Sequence, residues 1–242
     1  MLAATIQETQ ALERRFRMLL KEPGMFSSDL QVVRRDLRTK YHALLLTTLD
    51  LAVIHGIEAN LWKLLHYKII DEFRSKLKAA IKTAAVSAKN SQTTMHHEYR
   101  TLTSSFRAFL EDSSTFYIQM IQSLVHCYDI VELKAKILGQ LDFAIAEVHE
   151  PYQIIEISHE QREKVVQIIH RSLIYLGDLS RYAEVQSEKK IKHWGAAKMF
   201  YGLAMVIVPN NGNPFNQLAV VNTYEGNNVE ATELYLRRCR IK

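Results

Sequence analysis

Apolar side chains recur in steps of three and four along most of this 242-residue chain. That spacing is what an α-helix with one buried face requires. Leu30, Val33, Leu37, Tyr41, Leu44 and Leu51 form one seam, and Ile57, Leu61, Leu65, Ile69, Phe73, Leu77 and Ile81 a second. Tyr99, Phe106, Phe109, Leu110, Phe116, Ile121 and Leu124 form a third, and Val165, Ile168, Ile169, Leu173, Leu176 and Leu179 a fourth. No stretch keeps the two-residue alternation of a strand. Val206-Ile207-Val208 is β-branched, but it ends a helical period and stays helical in this reading. With eight Gly and four Pro in the chain, helix breakers are scarce. The expectation is an all-α stack of antiparallel helix pairs.

The breakers that do occur set the boundaries. Pro23-Gly24 stops a first helix over Leu2 to Lys21, and Ser27, Ser28 or Asp29 can cap the next. That second helix runs to His55-Gly56, and a third starts near Glu58. Ser87 to Thr94 reads as a loop, Met95 to Tyr128 as a long helix, and Gly139 to Ser158, with Pro151, as a connector. His159 to Gln186 is helical again, followed by a shorter helix near Lys190 to Val208 that Pro209 ends. Asn210 to Asn213 is a turn, and Pro214 suits the first turn of the next helix, where its missing N–H is not needed. Gly226 closes that helix, and Glu230 to Arg240 begins its partner.

Bulk chemistry excludes several classes. The net charge of +5 permits nucleic acid or phosphorylated partners without demanding them. Cys127 and Cys239 lack CxxC spacing and read as free thiols of a reducing compartment. No apolar run reaches the roughly 18 residues of a membrane span, and Met1 to Gln10 is not a secretory signal; the expected location is the nucleus, the cytoplasm or both. His96-His97-Glu98 lacks the spacing of a zinc protease, and no other His pairs with a Cys at ligand spacing, so no metal is expected. No P-loop or dinucleotide fingerprint occurs, and Asp71-Glu72 point apart on a helix, which rules against an acid–base dyad. Neither a cofactor nor an enzymatic activity is expected.

One stretch does not read as core alone. Gly177-Asp178-Leu179-Ser180-Arg181-Tyr182 lies inside a helical pattern, where Gly costs about 1 kcal/mol against Ala. Such a Gly usually marks the close approach of another backbone. Beside it stand a buried-looking Asp and an Arg-Tyr pair, and the combination reads as the wall of an anion pocket. A second feature is the stripe of Lys63, Tyr67, Arg74 and Lys78, whose steps of four, seven and four return to nearly one helical angle; it would supply an opposite wall. A phosphoserine carries close to two negative charges and three acceptor oxygens. An Arg fork can meet two of those oxygens at once.

Toward the C-terminus, Asn216, Leu218, Ala219, Tyr224, Gly226, Glu230, Ala231 and Tyr235 look like a tetratricopeptide unit. Ala197, Tyr201, Ala204 and Pro209 resemble the second helix of a preceding unit. Arg238 stands where that pattern wants a small residue. Stacked repeats need neighbours, so the expectation is an N-terminal piece of a longer protein. Residues 1–242 would form one domain, with N-terminal helices and connector to about 158 and the pocket helix and hairpins over 159–242.

Leu176 to Tyr182, the run Pro209 to Ala219, and Leu61-Trp62 together resemble the Est/SMG family, adaptors of telomerase recruitment and of nonsense-mediated mRNA decay. The resemblance implies a 14-3-3-like domain with tetratricopeptide-type hairpins at its C-terminal end. The Gly-Asp-x-x-Arg-Tyr segment also resembles that of 14-3-3 proteins, which implies that Arg181 and Tyr182 hold a phosphate. It further implies one or two cations from the basic helix. Arg74 matches one position; Tyr67 stands where a Lys is expected, leaving Lys68 or Lys63 to substitute. A residue contacting the bound peptide's backbone would be Asn222 or Asn216. The implied function is a non-enzymatic adaptor binding a phosphorylated protein segment, with telomerase or its RNA, or a decay-factor helicase, among its partners and no membrane.

Two other readings stand beside this one. Arg14, Arg15 and Arg17, then Arg34, Arg35, Arg38 and Lys40, then Lys63 to Lys82 are basic patches that could take telomerase RNA, or an unmodified peptide with help from apolar surface, although acidic residues interrupt most of them. In the other, Arg181 is a structural ion pair and the chain a tetratricopeptide scaffold.

Overall fold

The computed structural model describes residues 2–86, 92–139 and 153–241. Most of the expected Ser87 to Thr94 loop and of the Gly139 to Ser158 connector lies outside the described residues. The described residues are mostly helical, with no strand among them and no helix among them long and apolar enough to cross a membrane. The helices gather into two compact units, Met1–Leu102 and Thr103–Lys242, each treated below by itself.

The first unit holds α1 (Leu2–Lys21), α2 (Ser28–Thr47), α3 (Leu49–Ile54), α4 (Ile57–Trp62) and α5 (Lys68–Val86). α1 packs on α2, and α2 on α3 and α4. Phe16, Leu30, Leu37, Tyr41, Leu45, Leu61, Leu65 and Ile69 are buried to 2% exposure or less, as the seams require. The expected second helix breaks at Thr48, whose backbone leaves the helical region at φ −144°, ψ 56°. The apolar steps stay in phase across the break, since Leu44, Leu45, Leu49 and Ala52 are all buried. Gly56, at φ +60°, turns the chain into α4 through the left-handed region that other residues avoid.

Between α4 and α5 the helix widens into a π turn over Lys63–Tyr67, where the Lys68 N–H reaches back five residues to the Lys63 carbonyl. Leu65 of that turn gains a partner from α2, because Arg34 Nε donates to its carbonyl at 3.1 Å. Arg34 is buried, so it belongs to the core of the unit and leaves the basic patch in which the sequence placed it.

The second unit takes in the end of α6 (Gln92–Cys127), a single turn Val131–Leu133 running into a π turn Lys134–Leu138, and then four helices: α7 (His159–Val185), α8 (Gly195–Ile207), α9 (Asn213–Tyr224) and α10 (Asn228–Arg240). Ser158 starts α7 with a capping box shared with Gln161, and Arg162 Nη1 donates to both carboxylate oxygens of Glu132 at 2.7 and 2.9 Å. Tyr117 of α6 meets Tyr175 of α7 edge-on at 5.6 Å. α7 packs on α8, α8 on α9, and α9 on α10. Pro214 lies in the first turn of α9, as its chemistry predicts. The shorter helix begins at Gly195 and not near Lys190. The segment before it is a loop tied down by Glu184, which accepts the His193 N–H at 2.8 Å and the Ser187 hydroxyl at 3.2 Å.

Candidate functional site

Gly177 sits mid-helix because another group occupies its side-chain space. A Cβ built there would fall 2.3 Å from Cε1 and 2.5 Å from Cδ1 of Tyr201. The close approach inferred from sequence is real, but it comes from a ring on α8 and not from a backbone. Laid flat against α7, the ring carries its hydroxyl to the next turn, where the Tyr201 O–H donates to Asp178 Oδ1 at 2.7 Å.

Arg181 completes the arrangement from one turn further along α7. Its Nη2 donates to Asp178 Oδ1 at 2.8 Å and its Nε to the Tyr201 oxygen at 3.3 Å. The guanidinium lies over the Tyr182 ring, 4.7 Å from the centroid. Arg181 and Asp178 side chains are 11% and 13% exposed. Burial opposes the Arg181 charge, but the oxygens of Tyr201 and Asp178 outweigh it and hold its pKa above the ordinary value. Tyr201 is fully buried, and burial followed by the neighbouring Asp178 carboxylate pushes its pKa up. Asp178 thus orients the Arg181 cation.

The fork therefore has one edge fixed. Nε and Nη2 face Tyr201 and Asp178. On the other side, Nη2 also reaches Gln217 Oε1 of α9 at 3.5 Å, and Nη1 has no hydrogen-bond partner among the described residues. Two residues that sequence reasoning missed thus belong to the site. Tyr201 was noted only as a repeat position, although an interior Gly on the partner helix signals a ring of this kind. Gln217 carries no signal in the sequence beyond lying next to Asn216.

The two Asn candidates separate. Asn222 is 4% exposed, and its Nδ2 donates to the Leu218 carbonyl of its own helix at 3.1 Å. Its Oδ1 is buried without a hydrogen bond among the described residues. Asn216 is half-buried, next to Gln217 on α9.

In the first unit, Lys63, Lys68 and Lys78 are exposed and Tyr67 is 42% exposed, while Arg74 is half-buried and engaged in an interaction of its own. From Tyr67 at the end of the π turn, steps of seven and four carry Arg74 and Lys78 back to nearly one helical angle along α5. Lys63 does not follow them, because a turn closed five residues apart holds one residue more than an α turn. It lies above the gap between Tyr67 and Lys68.

Among the described residues the C-terminal helices pack in succession around a Gly-Asp-x-x-Arg-Tyr segment, which defines an all-α helical-stack domain. The comparisons agree and narrow the class. The family described as "Telomerase activating protein Est1" matches residues 56–187, and the "Est1 DNA/RNA binding domain" matches residues 197–239. The chain belongs to the Est1/SMG family. It is 29% identical over 218 residues to the nonsense-mediated mRNA decay factor SMG7 of Arabidopsis thaliana, covering 85% of this chain and 19% of the relative. To the telomerase-binding protein EST1A of Danio rerio it is 25% identical over 234 residues, covering 97% and 13%. To the telomere elongation protein est1 of Schizosaccharomyces pombe it is 26% identical over 166 residues, covering 66% and 31%. The chain thus spans less than a third of each of these relatives. Among solved structures, the crystal structure of Est1 and Cdc13 matches with a TM-score of 0.68 at 18% identity, over 94% of this chain and 42% of that one. The C. elegans SMG5–SMG7 complex matches at 0.51 and 17% identity, over 96% and 48%. Both show the shared fold.

Proposed function

We propose that this chain is a non-enzymatic adaptor that binds a phosphorylated protein segment, working in telomere maintenance or in nonsense-mediated mRNA decay. The observation that carries the proposal is the braced Arg181. Asp178 and Tyr201 hold one edge of its fork and the Tyr182 ring supports its face, so the Nη1–Nη2 edge needs little reordering to accept a bidentate anion. Lys63, Lys68 and Arg74 of the first unit are cations of a type suited to a phosphate, and in the second unit Asn216 is the accessible candidate for the peptide backbone. Partners in this reading are a phosphorylated protein, with telomerase and nonsense-mediated mRNA decay as the settings the relatives' names suggest, in the nucleus, the cytoplasm or both. Fluorescence anisotropy with matched phosphoserine and serine peptides tests it. Tighter binding of the phosphorylated form, lost in Arg181→Ala and weakened in Arg74→Glu, is the expected result; equal affinity for both peptides counts against it.

A second reading rests on the same pair seen differently. An Arg buried against a carboxylate at 2.8 Å is also what a purely structural staple looks like, and the chain would then be a tetratricopeptide scaffold binding unmodified peptide or RNA through other surfaces. Binding with steep salt dependence and indifference to Arg181→Ala would favour it.

A further inference from the structure

Arg181 meets Gln217 at its outer edge, and the contact is loose. The Gln217 Oε1 lies 3.5 Å from Arg181 Nη2, and its Nε2 lies 3.4 Å from Asn213 Oδ1. Both exceed the 2.7–3.2 Å typical of N–H···O bonds, and Gln217 makes no shorter bond among the described residues. The inner edge is held by Asp178 Oδ1 at 2.8 Å from Nη2 and by the Tyr201 oxygen at 3.3 Å from Nε, and Tyr201, a fully buried ring, is itself tied to Asp178 at 2.7 Å. A guanidinium offers two bidentate edges, Nε with Nη2 and Nη1 with Nη2. The first is filled by the protein. The second carries only a half-buried amide on a flexible stem.

We infer that Gln217 is a ligand-binding residue of the Arg181 site. Its carbonyl oxygen rests against Nη2 at 3.5 Å. When a phosphate takes the Nη1–Nη2 edge, the amide turns over and Nε2 donates to a phosphate oxygen that Arg181 leaves open. An amide can do both because it carries an acceptor and donors on one planar group. The ligand class is a phosphate monoester on a protein segment, and the inference rests on the phosphate reading of Arg181. It adds an uncharged phosphate donor from α9 to the Arg181 fork, which α7 and α8 hold.

The two roles open to Gln217 differ in a measurable way. A structural Gln would be replaced by Glu with little change at Arg181 beyond a new ion pair. A ligand-binding Gln replaced by Glu puts a carboxylate on the edge the phosphate needs. Inorganic phosphate titrated into the ¹⁵N-labelled chain, read by the Arg181 Nε–H and Gln217 side-chain amide signals, separates them when repeated on Gln217→Leu, Gln217→Glu and Arg181→Ala. The expected result is that both signals shift together, that Gln217→Leu raises the half-saturation concentration by about three- to tenfold, and that Gln217→Glu abolishes the Arg181 shift without lowering Tm. If the Arg181 signal shifts but the Gln217 amide stays still, or both Gln217 variants titrate as the parent does, the inference is overturned and the phosphate reading stands. If no signal responds, or the remaining signals of Arg181→Ala respond as in the parent, the phosphate reading fails and the inference with it.

Discussion

The ring of Tyr201 occupies the space a side chain at residue 177 would need. A Cβ on Gly177 would lie 2.3 Å from Tyr201 Cε1, well inside van der Waals contact. The Gly and the Tyr are thus two halves of one device: the missing side chain on α7 lets the α8 ring lie flat, and the flat ring delivers a hydroxyl to Asp178 and Arg181.

Gly177→Ala should therefore destabilise the chain even though Ala is the better helix former. Overpacking of this kind costs about 1–3 kcal/mol against the ~1 kcal/mol gained in propensity, and the ring is anchored at its far end by Asp178, which limits retreat. Urea denaturation should show a net loss. Gly177→Ala combined with Tyr201→Leu should lose less than the sum of the two single variants, and strict additivity would show that ring and glycine are not coupled.

Asp178→Ala leaves Arg181 largely buried without its carboxylate. Removing one partner of such a pair costs about 3–5 kcal/mol, whereas removing both in Asp178→Ala/Arg181→Met should cost less than Asp178→Ala alone. A double-mutant cycle in urea measures the coupling. A coupling near zero would mean that the ion pair contributes nothing to holding α7 in place.

His66 is fully buried, and burial, followed by the charges of Arg34 and Arg38, holds its pKa well below the ordinary value. His170, whose Nδ1 donates to the Ala204 carbonyl at 3.0 Å, is shifted the same way by burial. A histidine with a lowered folded pKa binds its proton more readily when unfolded. Its contribution is fully present above the unfolded value near 6.5 and is lost as pH falls from there toward the folded pKa. Stability should thus drop between pH 7.5 and 5.5, by at most about 1.4 kcal/mol per pH unit for each such group. His66→Leu should flatten the slope; an unchanged slope would put the loss elsewhere.

Arg34 supplies the α2 donor to the π turn. Arg34→Met keeps the stem and removes that donor, at an expected cost of about 1.5–3 kcal/mol for a bond from a charged group. Hydrogen exchange should speed up first at the amides of residues 63–68. Uniform acceleration through the chain, with no excess there, would show that the turn does not depend on Arg34.

Much of the fold was legible because it rests on local chemistry. Pro23-Gly24, Pro209 and Gly226 punctuate the helices where their backbones demand, and the buried faces follow the apolar steps except at Ile81, which is 55% exposed toward the end of α5. What escaped are changes that leave those steps in phase. The break at Thr48 sits between buried Leu45 and Leu49. The π turn keeps Leu61, Leu65 and Ile69 inside while adding Leu64 and Ile70, and only a buried His66 hints that the face has widened. At the site, Gly177, Asp178, Arg181 and Tyr182 could be picked out because each is costly or unusual inside a helix. Tyr201 and Gln217 could not, because a Tyr on an apolar face and a Gln on a helix are ordinary until a partner helix is placed against them.

The central claim is that Arg181 binds phosphate and does not merely staple helices. The most direct test is anisotropy of a fluorescein-labelled peptide library with a fixed central phosphoserine, against the matched serine library, on the parent chain and on Arg181→Lys. Lys keeps the charge but loses the fork. The account predicts a clear preference for the phosphorylated library that falls at least about tenfold in Arg181→Lys while the helical circular dichroism stays unchanged. Equal binding of the two libraries by the parent chain, or a preference that survives in Arg181→Lys, would contradict it.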